Sequence, residues 1–186
     1  MRIDTYIISL SPESARSIAL ASKLQTQNTP YLFLEAVDGR QFDLSVFPEY
    51  EQDLARRYMG RELLGGEIGC YLSHLKAAKA LLASDADCAI VMEDDAAPKA
   101  ELADACHVIA NRLNQIDPDW MLVNIGKSSD KINTDIASIY GSNHQLQAAH
   151  YFPITTHGLL WSRAGAQAFV SNHTKIWAPV DNYFRH

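Results

Sequence analysis

Three consecutive acidic residues, Glu93, Asp94 and Asp95, follow directly after an apolar run in the stretch CAIVMEDDAAPKA. Like charges repel, and an ionised carboxylate is costly to bury unless a partner neutralises it. In an extended chain residues i and i+2 point to the same side, so we expect Glu93 and Asp95 to face one way and Asp94 the other. Such paired carboxylates suit Mg²⁺ or Mn²⁺, which keep open positions for water and substrate phosphates. The triplet therefore predicts a divalent-cation site; the alternative is a solvated turn whose acids cap a helix.

The place of the triplet in the predicted fold supports the first interpretation. Strand and helix patterns alternate along the chain, which is typical of an α/β fold with a mainly parallel central sheet flanked by helices. The apolar run at residues 88–92 predicts a strand that is buried on both faces, in the centre of that sheet. Ligands of open α/β sheets bind beyond the carboxyl ends of the strands, which is where the acids stand.

The remaining patterns predict the elements around this strand, in one domain over residues 1–186. In the first helix, Ser11 is the expected N-cap and Pro12 the expected first helical residue. Two polar stretches, residues 128–135 and 140–145, are predicted to be turns. Further strands are predicted at residues 5–10, 31–37, 120–126 and 156–162, and helices at residues 11–28, 49–60, 65–84, 101–116 and 163–173.

Composition excludes several classes of protein. The 186 residues carry a net charge of −6, which argues against a nucleic-acid partner and against electrostatic adhesion to an anionic membrane. Neither a bilayer-spanning run nor a signal peptide is recognisable, so we expect a cytoplasmic protein with at most peripheral membrane association. Its three cysteines, Cys70, Cys88 and Cys106, include no CxxC pair and are expected to be reduced and mostly buried. This spacing argues against a zinc site or a disulfide framework.

Several stretches, taken in order, resemble glycosyltransferase family 25, which includes bacterial lipooligosaccharide β-galactosyltransferases and is related to collagen galactosyltransferases. The resemblance covers nearly the whole chain, and GEIGCYLSHL with MEDDA some twenty residues later is its most specific part. The stretches that carry it are IISL followed by Arg16, FLEAVDG, GEIGCYLSHL, AIVMEDDA, THGLLWSRAGAQAF and PVDNYF.

The resemblance implies a GT-A-like nucleotide-binding fold that holds Mn²⁺ or Mg²⁺ and a UDP-sugar, with UDP-galactose more usual than UDP-glucose. The EDD triplet stands where such enzymes carry a DXD motif. By this analogy Asp95 coordinates the metal. Glu93 also lies on the metal side and reaches the ribose or a metal-bound water. Asp94 is a further contact to the donor.

The resemblance also places residues from the first strand and its loop beside the donor. Ser9, Leu10 and Arg16 lie where the uridine and the diphosphate approach. Arg16 can pair with the diphosphate, although a surface position on its helix is an equal alternative. Glu67 and His74 match the helix motif of the family. They are expected to shape the donor site or to pack beneath it, and a purely structural role for His74 is the alternative.

The reaction implied by the resemblance is an inverting single displacement that moves galactose or glucose to a lipooligosaccharide or lipopolysaccharide glycan, at the inner face of the bacterial inner membrane. Asp181 is the candidate base for the acceptor hydroxyl, and a helix cap is its alternative role. Family members usually run tens of residues past the equivalent of His186. In many such enzymes this later segment supplies a metal ligand and part of the acceptor wall, so we expect it to be missing here. We therefore expect transfer by this chain to be weak.

Two other functions remain to be weighed against transfer. The first is a truncated or degenerate nucleotide-sugar-binding protein that binds the donor without transferring the sugar. The second is a phosphate-handling α/β protein, such as a receiver domain or a haloacid-dehalogenase-like phosphatase. Proteins of that second kind carry their key acid after the first strand, where IISLSPE has no aspartate.

Overall fold

The computed structural model describes residues 1–99, 101–126, 131–139 and 144–186. Its strands are β1 (Ile3–Ser9), β2 (Leu32–Glu35), β3 (Cys88–Glu93), β4 (Leu122–Asn124), β5 (Asn133–Ile139), β6 (His144–Ala149) and β7 (Gly158–Ser162). Its helices are α1 (Ala15–Thr26), α2 (Gln52–Met59), α3 (Gly65–Ala83), α4 (Leu102–Ile116), α5 (Arg163–Asn172) and α6 (Val180–Tyr183).

Five of these strands form the central sheet, in the order β2-β1-β3-β7-β4. Strand β1 pairs in parallel with both β2 and β3, whereas β7 runs antiparallel to β3 and to β4. Four strands therefore share one direction and β7 opposes them. This arrangement confirms the predicted α/β fold with a mainly parallel sheet, and it is consistent with a GT-A-like fold.

The sheet separates two apolar layers because successive side chains of a strand point to opposite faces. On β3, Ala89 and Val91 join the core that contains α3 and α5, whereas Ile90 and Met92 join the core that contains α1 and α4. All residues of β3 before Glu93 are buried, which confirms the prediction of a central strand. By the same alternation Glu93 falls on the α3 side of the sheet.

Two local predictions were wrong. Helix α1 begins after Ser14, whose side chain accepts a hydrogen bond from the Ser17 amide, because Ser11 instead forms a turn in which its carbonyl accepts from the Ser14 amide. The polar stretches predicted as turns overlap the first residues of β5 and β6, which pair antiparallel. Their backbones pair although most of their side chains are exposed, so the alternation of buried apolar and exposed polar residues that reveals a strand is absent. Residues 127–130 and 140–143 of this region lie outside the described residues.

The cysteines follow the prediction of free thiols: Cys88 and Cys106 are buried and Cys70 is half-buried. Within the residues that the structure describes, no helix combines the length and the apolar character needed to cross a bilayer.

Candidate functional site

An open pocket of about 250 Å³ lies where β1, β2 and β3 end. These three strands are parallel, so their carboxyl ends meet at one edge of the sheet, which is the usual ligand position in such folds. The pocket brings together six residues that the sequence predicted, namely Ser9, Leu10, Arg16, His74, Glu93 and Asp94. Its other lining residues are Ile8, Ala36, Val37, Asp38, Gly39, Arg40, Gly66, Cys70 and Ser73.

Glu93, the last residue of β3, is held by three donors. Its Oε1 atom lies 3.2 Å from His74 Nε2 and 3.7 Å from Cys70 Sγ, and it also accepts a hydrogen bond from the Thr156 hydroxyl. No hydrogen bond from the described residues reaches Oε2. Because an ionised carboxylate only accepts, the Nε2 atom of the fully buried His74 carries the proton of this contact.

These contacts set the charge of Glu93. Burial alone raises the pKa of a carboxyl, but the hydrogen bond and charge of His74 and the hydrogen bond of Thr156 outweigh burial and lower the pKa of Glu93 to about 2. The side chain is 26% exposed. Glu93 therefore presents a fixed negative charge at the floor of the pocket at neutral pH.

Asp94 turns toward α1 instead, as the predicted alternation requires for neighbours on a strand. Its carboxylate lies 3.3 Å from the guanidinium of Arg16 and accepts a hydrogen bond from Ser9 at 3.3 Å. Ser9 is buried and also lies 2.7 Å from the Ser17 hydroxyl. Asp94 thus fixes Arg16 at the mouth of the pocket, where its side chain is still 66% exposed.

Asp95 and Asp181 stand beside the pocket and are not part of its lining. The strand ends at Glu93, and Asp95 lies in the following turn with its carboxylate 3.4 Å from His157 Nε2. Asp181, in α6, accepts a hydrogen bond from the Asn182 amide. Its charge helps to raise the pKa of the Cys70 thiol, after the larger effect of burial, so Asp181 is within electrostatic range of the pocket.

Helix α3 forms one wall of the pocket, and its glycines let a loop approach closely. A Cβ atom on Gly69 would lie 2.4 Å from the Val37 carbonyl oxygen, and one on Gly65 would lie 2.1 Å from that of Gly39. Ser73 secures the same loop, since its hydroxyl accepts from the Val37 amide and donates to the Gly69 carbonyl. The backbone of α3 and that of the loop after β2 are therefore in direct contact.

Glu67 has a different place from the one that the resemblance suggested for it. Its carboxylate accepts from the Leu64 amide at 2.7 Å, at the start of α3, and forms a two-point ion pair with Arg61. The Arg61 hydrogen bond lowers the pKa of Glu67 against the opposing effect of burial. Glu67 is absent from the pocket lining and acts here as a helix cap.

Sequence reasoning missed several residues at this site. Asp38 and Arg40 line the pocket and pair with each other through two contacts of 2.7 Å. They follow β2, so the rule about strand ends could have found them. Cys70 lies one helical turn before His74, on the same face of α3. Thr156 precedes an antiparallel strand, and no local signal reveals that it reaches Glu93.

A metal ion has one clear set of possible ligands here. Within the part of the chain that the structure describes, the only group of three or more potential ligand residues whose donor atoms lie within 4.8 Å of one another is Cys70, His74 and Glu93. The three acids of the triplet form no such group, because each contacts a different partner. A cation between Glu93 and Asp95 therefore remains a prediction.

Comparison with known proteins gives the family. The model of "Glycosyltransferase family 25 (LPS biosynthesis protein)" matches residues 2–184. The chain belongs to glycosyltransferase family 25. This assignment confirms the resemblance seen in the sequence.

Relatives in family 25 include both galactosyltransferases and proteins named as inactive. The chain is 25% identical to procollagen galactosyltransferase 2 of Homo sapiens, over 97% of this chain and 29% of the relative. It is also 25% identical to procollagen galactosyltransferase 1 of Danio rerio, over 97% of this chain and 30% of the relative. The identity to the "probable inactive glycosyltransferase 25 family member 3" of Bos taurus is 25% as well, over 97% of this chain and 31% of that relative. The chain thus spans less than a third of the length of these relatives.

Proposed function

We propose that the chain binds a UDP-sugar in this pocket and transfers galactose, or alternatively glucose, to a glycan acceptor such as that of a lipooligosaccharide. The single observation that carries the proposal is the pocket at the parallel strand ends, whose lining combines Arg16 with two acids, Glu93 and Asp94. A diphosphate suits the guanidinium, and a hard cation suits carboxylates. Membership of family 25 supports a nucleotide-sugar donor.

The donor set of the site fits Mn²⁺ or Mg²⁺. Glu93 has an Oε2 atom with no hydrogen bond from the described residues, and the Asp95 side chain is 40% exposed. Such ions are commonly held by one or two carboxylates together with substrate phosphates. When bound, the cation supplies positive charge that stabilises the leaving diphosphate.

The residues of this chain have distinct parts in the proposed reaction. Arg16 pairs with the diphosphate and orients the donor. The acceptor hydroxyl oxygen attacks the anomeric carbon from the face opposite to the diphosphate. The bond from that carbon to the diphosphate oxygen breaks, and UDP leaves with the electron pair. Asp181 takes the hydroxyl proton. Its Oδ1 atom accepts a hydrogen bond from the Asn182 amide, whereas Oδ2 takes part in no hydrogen bond among the described residues and is the atom that would accept the proton.

Titration calorimetry with UDP, in the presence and absence of Mn²⁺, tests the donor site. We expect Asp95→Ala to abolish the Mn²⁺-dependent part of UDP binding while the protein stays folded. Asp119→Ala is the matched control, because Asp119 is exposed and precedes β4, at the opposite edge of the sheet. Unchanged Mn²⁺ dependence in Asp95→Ala would show that the ligand assignment is wrong.

A radiolabelled transfer assay with UDP-galactose and lipooligosaccharide core tests the chemistry. We expect Asp181→Asn to lower transfer by about 10²- to 10⁴-fold, the usual contribution of a general base, and to leave UDP binding intact. Transfer at the wild-type rate by Asp181→Asn would exclude this residue as the base.

The second candidate function is binding of a nucleotide sugar without transfer. The 25% identity to a bovine protein named as probably inactive favours it. The same two assays decide between the functions, because a binder shows Mn²⁺-dependent UDP affinity and no labelled product. For either function we propose a cytoplasmic location, which the three free thiols support. A position at the inner face of the membrane is a further part of this proposal.

A further inference from the structure

We infer that Cys70, His74 and Glu93 form a zinc-selective site that shares Glu93 with the proposed Mn²⁺ or Mg²⁺ position at Glu93 and Asp95 but otherwise uses different ligands. The three residues come from two elements, α3 and β3, and their donor atoms lie within 4.8 Å of one another. Zinc binding needs neither a sugar donor nor transfer, so it stands apart from the proposed function; only its effect on UDP binding rests on that proposal.

The geometry suits a tetrahedral ion. Zinc bonds of about 2.3 Å to sulfur and about 2.0–2.2 Å to nitrogen and oxygen place the ligand atoms of a tetrahedron roughly 3.3–3.6 Å apart. Here His74 Nε2 is 3.2 Å and Cys70 Sγ is 3.7 Å from Glu93 Oε1. Both distances lie close to the tetrahedral values, and the donor atoms of Cys70 and His74 lie within 4.8 Å of each other.

The pocket gives an ion access to the three residues, and their charges can balance it. All three line the pocket, so the ion enters from that side and its fourth position remains open to water or to a ligand. On binding, the Cys70 thiol releases its proton to solvent and the neutral His74 imidazole carries its proton on Nδ1, a buried atom with no hydrogen-bond partner among the described residues. One thiolate and one carboxylate then balance the two charges of the ion.

The ligand types decide the choice of metal. The thiolate decides in favour of Zn²⁺ and Co²⁺, because Mn²⁺ and Mg²⁺ are harder ions that favour oxygen ligands over sulfur. Glu93 belongs to both sites, and one carboxylate cannot keep both geometries at once. We therefore expect Zn²⁺ to suppress Mn²⁺-dependent UDP binding and not to replace Mn²⁺.

Cobalt spectroscopy on the wild-type chain is the first test, because Co²⁺ bound by a thiolate shows an ultraviolet charge-transfer band. We expect this band at one equivalent of Co²⁺, its loss on adding Zn²⁺, its absence in Cys70→Ser and its presence in Cys106→Ala. Cys106 is the matched control because it is a buried thiol of the opposite core. Absence of the band in the wild type overturns the proposal, and so does a band that Cys70→Ser retains.

Calorimetry with Zn²⁺ and Mn²⁺ in the absence of nucleotide is the second test. We expect Zn²⁺ to bind at least about tenfold more weakly to Cys70→Ser than to the wild type. Loss of a residue that only hydrogen-bonds a metal ligand commonly lowers metal affinity by about 10- to 100-fold, and loss of the ligand itself should lower it at least as much. Equal zinc affinity of the two proteins overturns the site. If Mn²⁺-dependent UDP binding proves absent, the proposed function fails while the cobalt band still decides the zinc site.

Discussion

Replacement of Gly69 by alanine is the sharpest test of how α3 and the loop after β2 build the pocket. The added Cβ would lie 2.4 Å from the Val37 carbonyl oxygen and 2.8 Å from the Gly39 amide nitrogen. Both neighbours are backbone atoms, so neither can turn aside as a side chain does. To reach ordinary contact the carbonyl must move by about 1 Å, against the hydrogen bond that holds Val37 to Ser73.

The magnitude follows from two opposing effects. Overpacking of this kind costs about 1–3 kcal/mol, whereas alanine gains about 1 kcal/mol over glycine in a helix interior. We therefore expect Gly69→Ala to lower the free energy of unfolding by up to about 2 kcal/mol. It should also weaken UDP binding, since Val37 and Gly39 line the pocket.

Gly66→Ala is the matched control on the same helix. A Cβ on Gly66 has no atom within 4 Å, so we expect this variant to be unchanged or more stable by up to about 1 kcal/mol. Chemical denaturation followed by circular dichroism measures both variants. Equal stabilities of Gly69→Ala and Gly66→Ala would refute the close contact between loop and helix.

Two further predictions concern the two ends of α3. The pKa of Glu67 is lowered, so its contribution to stability is present above pH 4.5, its ordinary pKa, and is lost as the pH falls below that value. Between pH 7 and pH 3 the melting temperature should therefore fall less in Glu67→Gln than in the wild type. An equal fall in both proteins would contradict the role of Glu67 as a helix cap. Arg163 donates to the carbonyls of Leu81, Ser84 and Ala86, so Arg163→Ala should lower the free energy of unfolding by about 2–4 kcal/mol, with partial recovery in Arg163→Lys. A denaturation midpoint of Arg163→Ala equal to that of the wild type would show that these bonds contribute nothing net.

Much of the fold was predictable because its signals are local. The unbroken apolar run before Glu93 identified the central strand, and the alternation of strands and helices identified a mainly parallel sheet. The hairpin of β5 and β6 was not predictable, because its strands are held by backbone pairing, most of their side chains are exposed, and each strand buries one apolar residue, Ile139 or Leu146. One buried residue per strand is too few to leave a period in the sequence.

Part of the candidate site was predictable for the same reason. The rule that ligands bind beyond parallel strand ends placed the acidic triplet at this edge. The family resemblance added Ser9, Leu10, Arg16 and His74, and six predicted residues line the pocket. The motif on α3 was recognisable, but the separate tasks of its residues were not. Whether a helical residue meets a loop, an arginine or a carboxylate depends on which element packs against it.

The sequence by itself determined that acids follow a buried central strand and that a glycine-rich helix precedes them. Only the tertiary structure decided what each acid meets. Strand β7 runs antiparallel to β3, which brings Thr156 to Glu93 and His157 to Asp95. Those pairs lie more than sixty positions apart. Strand direction and helix docking are set by the packing of the whole core, so no local pattern encodes such contacts.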